Sequence, residues 1–196
     1  MNPNRARRIL ITGSIATGKS KVSSYLKDRG MTLVDADEIA RDLSKDPAVL
    51  SEVAQTFGPE YVVEGGFNRE ALAQLVFADP ERRRELNAIL HPRIYDEIRR
   101  PREGTVVFYD IPLYFEVEEE LNFPMDDIWV VATSPEVQLQ RLMARDGIDE
   151  DFARAKIEGQ MSQEEKVARA HVVLNNDGTE EELFEQVDRA LEKISK

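Results

Sequence analysis

Short, unbroken apolar runs alternate along this chain with stretches in which apolar residues return every three or four positions. The runs predict strands at about Arg8–Thr12, Thr32–Asp35, Thr105–Tyr109, Asp127–Ala132 and Val172–Leu174. Each is short and rich in β-branched or aromatic residues, as strands buried on both faces are. Strands separated by helical patterns predict a parallel sheet with helices on both sides. Trp129, inside the fourth run, is expected to pack in the core.

The connections are unequal. About seventy residues separate the second and third runs, far more than one crossover helix requires. This stretch shows Leu43 to Phe57, the turn-rich Gly58-Pro59 and Gly65-Gly66, then helical patterns at Arg69–Phe77 and Pro80–Leu90. A further helix follows His91-Pro92, where the proline predicts a boundary and an extended histidine. Residues 42–103 are therefore expected to form a helical insertion carrying a substrate site. Ser134–Ala170 predicts two helices meeting at Asp146-Gly147, and 138–168 is expected to act as a lid. Leu183, Phe184, Val187, Leu191 and Ile194 share one face of a final packing helix. With no repeat and no linker, 1–196 reads as one domain.

One loop changes this picture from fold to chemistry. Gly13-Ser14-Ile15-Ala16-Thr17-Gly18-Lys19-Ser20 follows the first strand and opens a helix with Val22, Tyr25 and Leu26 on one face. That is the setting of a phosphate-binding loop. Its glycines let successive N–H groups converge on an anion, and the helix aims its positive end there. Lys19 supplies a point charge for the outer phosphates, and the Ser20 hydroxyl is placed to bind the Mg²⁺ of a nucleoside triphosphate.

The third strand ends in Asp110, where the neighbour of such a loop presents a carboxylate toward the metal. After the second strand come Asp35 and Asp37, at the sheet edge where ligands bind in open α/β folds. One of them is placed to take the proton of an attacking hydroxyl; both also suit capping of a helix that begins at Glu38. Arg141 and Arg145, four apart, share a helix face, with Arg154 further along. They read either as surface salt bridges or as guanidinium groups that a lid lays on a transferring phosphoryl.

Composition narrows the classes. A chain 41% apolar and 33% charged suits a folded globular protein, and no apolar run approaches the ~20 residues of a membrane span. Met1 to Arg8 is polar and basic and reads as a frayed leader rather than a secretory signal. The chain has no cysteine, which removes disulfides and thiolate chemistry and points to a cytoplasm-like compartment. A net charge of −12 opposes nucleic-acid binding. His91 has no neighbours at metal-ligand spacing.

From Ile9 to Gly178 the chain resembles the dephospho-coenzyme A kinases. The likeness rests on the phosphate loop; Val34-Asp35-Ala36-Asp37 with Ile39-Ala40-Arg41; Asn68-Arg69 with Leu72 and Val76-Phe77; and Ile89-Leu90-His91-Pro92. It continues in Ile111-Pro112-Leu113 with Phe115-Glu116; Gln138, Arg141 and Arg145-Asp146-Gly147; Gln160-Met161; and Asn175-Asn176-Asp177-Gly178. The loop alone is widespread; the other segments, in this order, are specific.

The resemblance implies an α/β P-loop three-layer fold with a five-stranded parallel sheet, a helical substrate-binding insertion and a helical lid. It implies transfer of the γ-phosphoryl of ATP to the ribose 3′-hydroxyl of dephospho-CoA, the last step of coenzyme A synthesis, with Mg²⁺ accompanying ATP. By position, Asp37, Lys19, Arg145 and Arg141 would be catalytic, and Gly13, Ser14, Ile15, Ala16, Thr17, Gly18, Lys19, Ser20 and Lys21 would bind ATP. Asp37, Arg41, Arg69, His91, Leu113, Phe115 and Glu116 would build the acceptor side. Ser20 would hold the metal, with Asp110 acting directly or through water and Asp35 a further candidate. The chain departs from the family at Ser14 and Ala16, in place of glycines, at Lys21 in place of threonine, and at Tyr114 and His171. Another small-molecule kinase on this scaffold, or an inactive nucleotide-binding scaffold, stays open here, and no oligomeric state is assigned.

Overall fold

In the computed structural model, which describes residues 5–194, the five expected strands form a single parallel sheet in the order β2-β5-β1-β6-β7. They are β1 (Arg7–Thr12), β2 (Leu33–Asp35), β5 (Val106–Asp110), β6 (Asp127–Ala132) and β7 (Val172–Asn175). β1 lies between β5 and β6, and its Ile9, Leu10 and Ile11 are fully buried. Ile9, Ile11, Phe108, Trp129, Val131 and Leu174 pack with α1 (Lys19–Asp28) and α10 (Glu180–Ile194), through Val22, Leu26, Leu183 and Val187. Trp129 is a core residue, edge-on to Phe108 with ring centroids 5.3 Å apart.

The register carries the fold to the site. Ile11 pairs with Asp110 and Thr12 with Val130. The carboxylate that ends β5 therefore stands beside the last turn of chain before the phosphate loop.

Three expectations change, one at the N-terminus and two within the chain. Residues 1–4 of the leader lie outside the described residues. From Arg5 onward the leader is not frayed: the Arg5 guanidinium grips both oxygens of Asp126 at 2.6 Å, and Arg7 already starts β1. Arg5 first, and then the Arg8 backbone N–H, hold the Asp126 carboxyl below its usual range. After β5 comes a helix that was not expected, α6 (Tyr114–Leu121), closed by Asn122 in the left-handed conformation. The 134–170 stretch contains three helices rather than two: α7 (Pro135–Asp146), α8 (Glu150–Glu158) and α9 (Gln163–Ala168). Gly159 ends α8, and a capping box between Ser162 and Glu165 starts the third helix.

Two compact units divide the described chain, one containing residues up to Val34 and from Arg102, the other Asp35–Pro101. The second contains α2 (Ala36–Leu43), α3 (Pro47–Phe57), β3 (Val62–Val63), β4 (Gly66–Phe67), α4 (Arg69–Ala78) and α5 (Pro80–Arg99). β3 and β4 make a small antiparallel pair where only turns were expected. Val49, Val53, Leu72 and Ile89 form its core. Asp46, Asn68 and Asp79 cap α3, α4 and α5 with their side chains.

The helix boundary expected at His91-Pro92 is absent: α5 runs straight through Pro92, and His91 is helical. Proline forfeits one backbone bond, but Ile89, Tyr95 and Ile98 on either side are buried. The Arg93 guanidinium also donates to the Ile89 carbonyl at 2.6 Å. Packing on both flanks outweighs the local preference.

Candidate active site

The phosphate loop folds as a tight cradle whose glycines are sterically required. A Cβ on Gly13 would stand 2.6 Å from the Val131 carbonyl oxygen. Gly18 has φ +92° and would collide with the Asn176 amide. Ser14 to Thr17 form a turn closed by the Thr17 N–H donating to the Ser14 carbonyl at 3.3 Å. Ala16, where a glycine was expected, keeps the glycine conformation at φ +63°. A methyl there costs of order 1–3 kcal/mol, so the sequence departure is accommodated by strain rather than by a different loop. The Ser14 hydroxyl is buried with no hydrogen-bond partner.

Lys19 opens α1 and donates to Asp110 Oδ1, while the Ser23 hydroxyl donates to Asp110 Oδ2 at 2.5 Å. Asp110 is 3% exposed. Both of its oxygens are thus engaged, so contact with a metal through an intervening water fits Asp110 better than direct ligation. Ser20 is exposed in the first turn of α1. Among the described residues no group of three or more His, Cys, Asp or Glu is placed to hold a metal ion. One hydroxyl, one carboxylate and the phosphates of a nucleotide are the oxygen donors a Mg²⁺ ion accepts, since it keeps several waters and rarely sits in an all-protein cage. Lys21 pairs with Glu180 at 2.7 Å, both exposed.

The far side of the loop is fixed by Asn176, Gln138 and Gln160, for which the sequence suggested no role, and by Arg141, expected there as a catalytic guanidinium. The Asn176 side chain donates to the Thr17 carbonyl at 2.7 Å. Arg141 donates to the Asn176 carbonyl at 2.9 Å. Gln138 and Gln160 both reach Ile15. Only their presence in recognisable segments signalled them. Arg145 is exposed and pairs with Asp146 at 2.7 Å, so Arg141 and Arg145 engage different partners. Arg145 and then Lys156 hold the Asp146 carboxyl well below the usual carboxylate range. Arg154 pairs with Glu150.

Asp177 ties the 175–178 loop to the start of α7. It accepts from the Thr133 hydroxyl and the Ser134 N–H, each at 2.6 Å. The Thr133 hydroxyl first, then the Ser134 N–H, lowers its carboxyl to about 2. A depressed carboxyl contributes stability above its unfolded value of ~4 and loses it as pH falls through the folded value. Asp177→Asn is therefore expected to lower the urea midpoint near neutral pH. The gap from the parent should close as pH falls from ~4 to ~2, with the two midpoints measured side by side.

In the second unit, Asp35 caps α2, its Oδ1 accepting from the N–H groups of Asp37 at 2.9 Å and Glu38 at 3.0 Å. The helix begins at Ala36, not Glu38, so Asp35 alone is the cap and Asp37 lies exposed in the first turn. A carboxylate there is favoured by the positive end of the helix. Asp37, Arg41 and Arg69 line a cleft of about 520 Å³ whose other walls include Phe67, Leu72, Val76, Leu86 and Leu90. The structure thus brings together three of the residues expected on the acceptor side. His91 is half-buried and hydrogen-bonds Tyr95 at 3.1 Å.

Leu113, Phe115 and Glu116 belong to the first unit. Leu113 is exposed; Phe115 is buried beneath the Arg169 guanidinium, 4.1 Å from its ring centroid. Glu116 accepts from the Met161 N–H at 3.3 Å and faces the fully buried Lys166 ammonium at 3.7 Å. Burial pushes the Lys166 amine down, against the opposing pull of Glu116.

Known proteins match this chain along most of its length. The family profile described as dephospho-CoA kinase matches residues 8–182. A dephospho-CoA kinase of Fusobacterium nucleatum is 38% identical over 188 residues, covering 94% of this chain and 96% of its own. A solved Thermus thermophilus protein, TT1252, superposes with a TM-score of 0.79 at 36% identity, covering 97% of this chain and 98% of that one. The solved dephospho-CoA kinase from Campylobacter jejuni gives a TM-score of 0.70 at 25% identity, covering 96% and 97%. Matched along almost its whole length, this chain belongs to the dephospho-CoA kinase family.

Proposed function

We propose that this chain transfers the γ-phosphoryl group of ATP to the 3′-hydroxyl of dephospho-CoA, giving CoA and ADP. Family membership over residues 8–182 carries the reading. The cradle of Gly13 to Ser20, with Lys19 beside Asp110, supports its chemistry. The ribose oxygen attacks the γ-phosphorus as the bond to the β-phosphate oxygen breaks. Asp37 orients the hydroxyl and takes its proton. Lys19, released from Asp110 to the phosphates, and Arg141 and Arg145 from α7 stabilise charge on the transferring group. Gly13 to Lys21 hold the triphosphate, through loop N–H groups other than those of Ile15, Thr17 and Lys21, which bond within the protein. Kinases of this kind use a divalent metal, which would supply neutralising charge at the phosphates. In this reading it would be Mg²⁺, held by the Ser20 hydroxyl and, through water, by Asp110.

The cleft bordered by Asp37, Arg41 and Arg69 takes the acceptor. Its two arginines suit the acceptor's phosphates, and its apolar wall suits an uncharged part. His91, Leu113, Phe115 and Glu116 are assigned to the acceptor side by their positions in the family-like segments. Among the described residues no helix is long and apolar enough to cross a membrane. We place the reaction in the cytoplasm, with no nucleic-acid partner for a chain of net charge −12.

The test is ADP release from ATP and Mg²⁺ with dephospho-CoA, adenosine, AMP or no acceptor. ADP formed only with dephospho-CoA, together with a 3′-phosphorylated product, is the expected result. ADP with another acceptor would move the substrate. ATP binding without turnover on any acceptor would mark a scaffold.

A further inference from the structure

Ile15 is held at both of its backbone polar groups by side chains from one distant segment. The Gln138 amide donates to the Ile15 carbonyl at 2.7 Å, and the Ile15 N–H donates to Gln160 Oε1 at 3.1 Å. Gln138 lies in the first turns of α7 and is 3% exposed; Gln160 follows the end of α8. The α7–α8 hairpin is thus pinned at both ends to a single residue of the phosphate loop. Next to Gln160, the Met161 N–H is anchored on Glu116. Gln163 then pairs with both the N–H and the carbonyl of Thr133, at 3.0 and 2.7 Å.

The geometry of the turn says what this bracket does. In the turn from Ser14 to Thr17, Ile15 is second and Ala16, at φ +63°, is third. A positive φ at the third position only is the type II pattern, which prefers glycine there. The competing type I turn suits alanine and differs chiefly by a half-rotation of the peptide joining the second and third residues. That peptide contains the Ile15 carbonyl. A trans peptide directs its C=O and N–H oppositely, so fixing the Ile15 carbonyl on Gln138 also fixes the Ala16 N–H pointing away from Gln138. Releasing the carbonyl would let the peptide rotate and relieve the strain at Ala16, turning the Ala16 N–H to the wrong side.

We propose that Gln138 and Gln160 are positioning residues for phosphoryl transfer. Gln138 holds the Ile15–Ala16 peptide in its strained orientation, Gln160 fixes the preceding Ser14–Ile15 peptide, and together they keep the phosphate loop shaped for nucleotide before ATP arrives. The inference rests on the loop being the ATP site.

The test uses the full chain with Gln138→Met and Gln160→Met, alone and combined with Ala16→Gly. In nucleotide-free protein, Gln160→Met is expected to speed exchange of the Ile15 amide hydrogen, read by NMR, by about tenfold or more. Each single variant should raise the KM for ATP about tenfold, the scale of one lost buried hydrogen bond. The KM for dephospho-CoA should stay within about twofold, because the bracket touches only the nucleotide loop. With Ala16→Gly present, the penalty of Gln138→Met should shrink to about threefold or less, because glycine needs no bracket to keep a positive φ.

An Ile15 amide that exchanges at the parent rate in Gln160→Met overturns the proposal. So does a penalty shared equally by the two substrates, or one undiminished by Ala16→Gly. If Gln138→Met does not fold, the half-exposed Gln160 variant decides through exchange and the two KM values. Failure of the parent protein to form ADP would sink the kinase reading, while the exchange measurement would still judge the bracket.

Discussion

Asp37→Asn is expected to lower kcat by about a hundred- to ten-thousandfold, the usual worth of a general base, while ATP binding stays as in the parent and stability falls by about 1 kcal/mol at most. The substitution isolates the chemistry because of where Asp37 lies. The helix cap belongs to Asp35, whose Oδ1 already serves the Asp37 and Glu38 amides. Asp37 is exposed in the first turn, where exchanging a carboxylate for an amide forfeits about 0.3–1 kcal/mol of interaction with the helix end, small beside the expected loss of rate. An asparagine keeps the shape and the hydrogen bonds to substrate but cannot accept the proton. Rates would be compared at saturating ATP and dephospho-CoA, with nucleotide binding followed separately by calorimetry. Turnover near the parent rate would remove Asp37 from the mechanism.

Lys19→Ala is expected to act twice. Loss of a fixed cation at the phosphates lowers kcat/KM by about a hundred- to a thousandfold, equivalent to about 3–4 kcal/mol of transition-state stabilisation. It also strands Asp110. That carboxylate is 3% exposed and shared between Lys19 and Ser23; with Lys19 gone, one hydroxyl is left to it. Removing one partner of a buried pair costs about 3 kcal/mol or more, so the chemical-unfolding midpoint should fall as well. Adding Asp110→Asn removes the stranded charge and should restore most of the midpoint while leaving activity lost. If the second substitution restored activity too, Lys19 would be acting only through the stability of the pair.

What could be read from the chain follows from the range of the forces involved. The strands and the loop are local patterns: Ile9-Leu10-Ile11 followed by Gly13 and Gly18-Lys19 shows its use within a dozen residues. Of the cleft residues, Asp37 was legible from its place after the second strand, whereas Arg41 and Arg69 were legible only through family-like segments. The bracket on Ile15 was not legible, because it joins positions 123 and 145 residues apart. The Asn176 contact to the Thr17 carbonyl spans 159. Only the sheet order makes such pairs neighbours. The error at Pro92 has the opposite cause: a strong local rule was overridden by burial of Ile89, Tyr95 and Ile98 on either side. The third helix after Ser134 was within reach, since Ser162 and Glu165 spell a capping box.

The place of β1 at the middle of the sheet also sets an order of events during synthesis. Its partners come late: Arg7 pairs with Val106, and β6, on the other side, begins only at Asp127. On a ribosome adding roughly 5–20 residues per second, the first strand waits about 5–20 seconds for the second to emerge. Meanwhile Asp35–Pro101, a unit of sequence-contiguous helices with its own core, has the contacts it needs to fold first. Ile9, Leu10 and Ile11, fully buried in the finished protein, lack both flanking strands on the nascent chain for that interval. The apolar run that orders the sheet is thus, until β5 arrives, a strand with both of its edges unpaired.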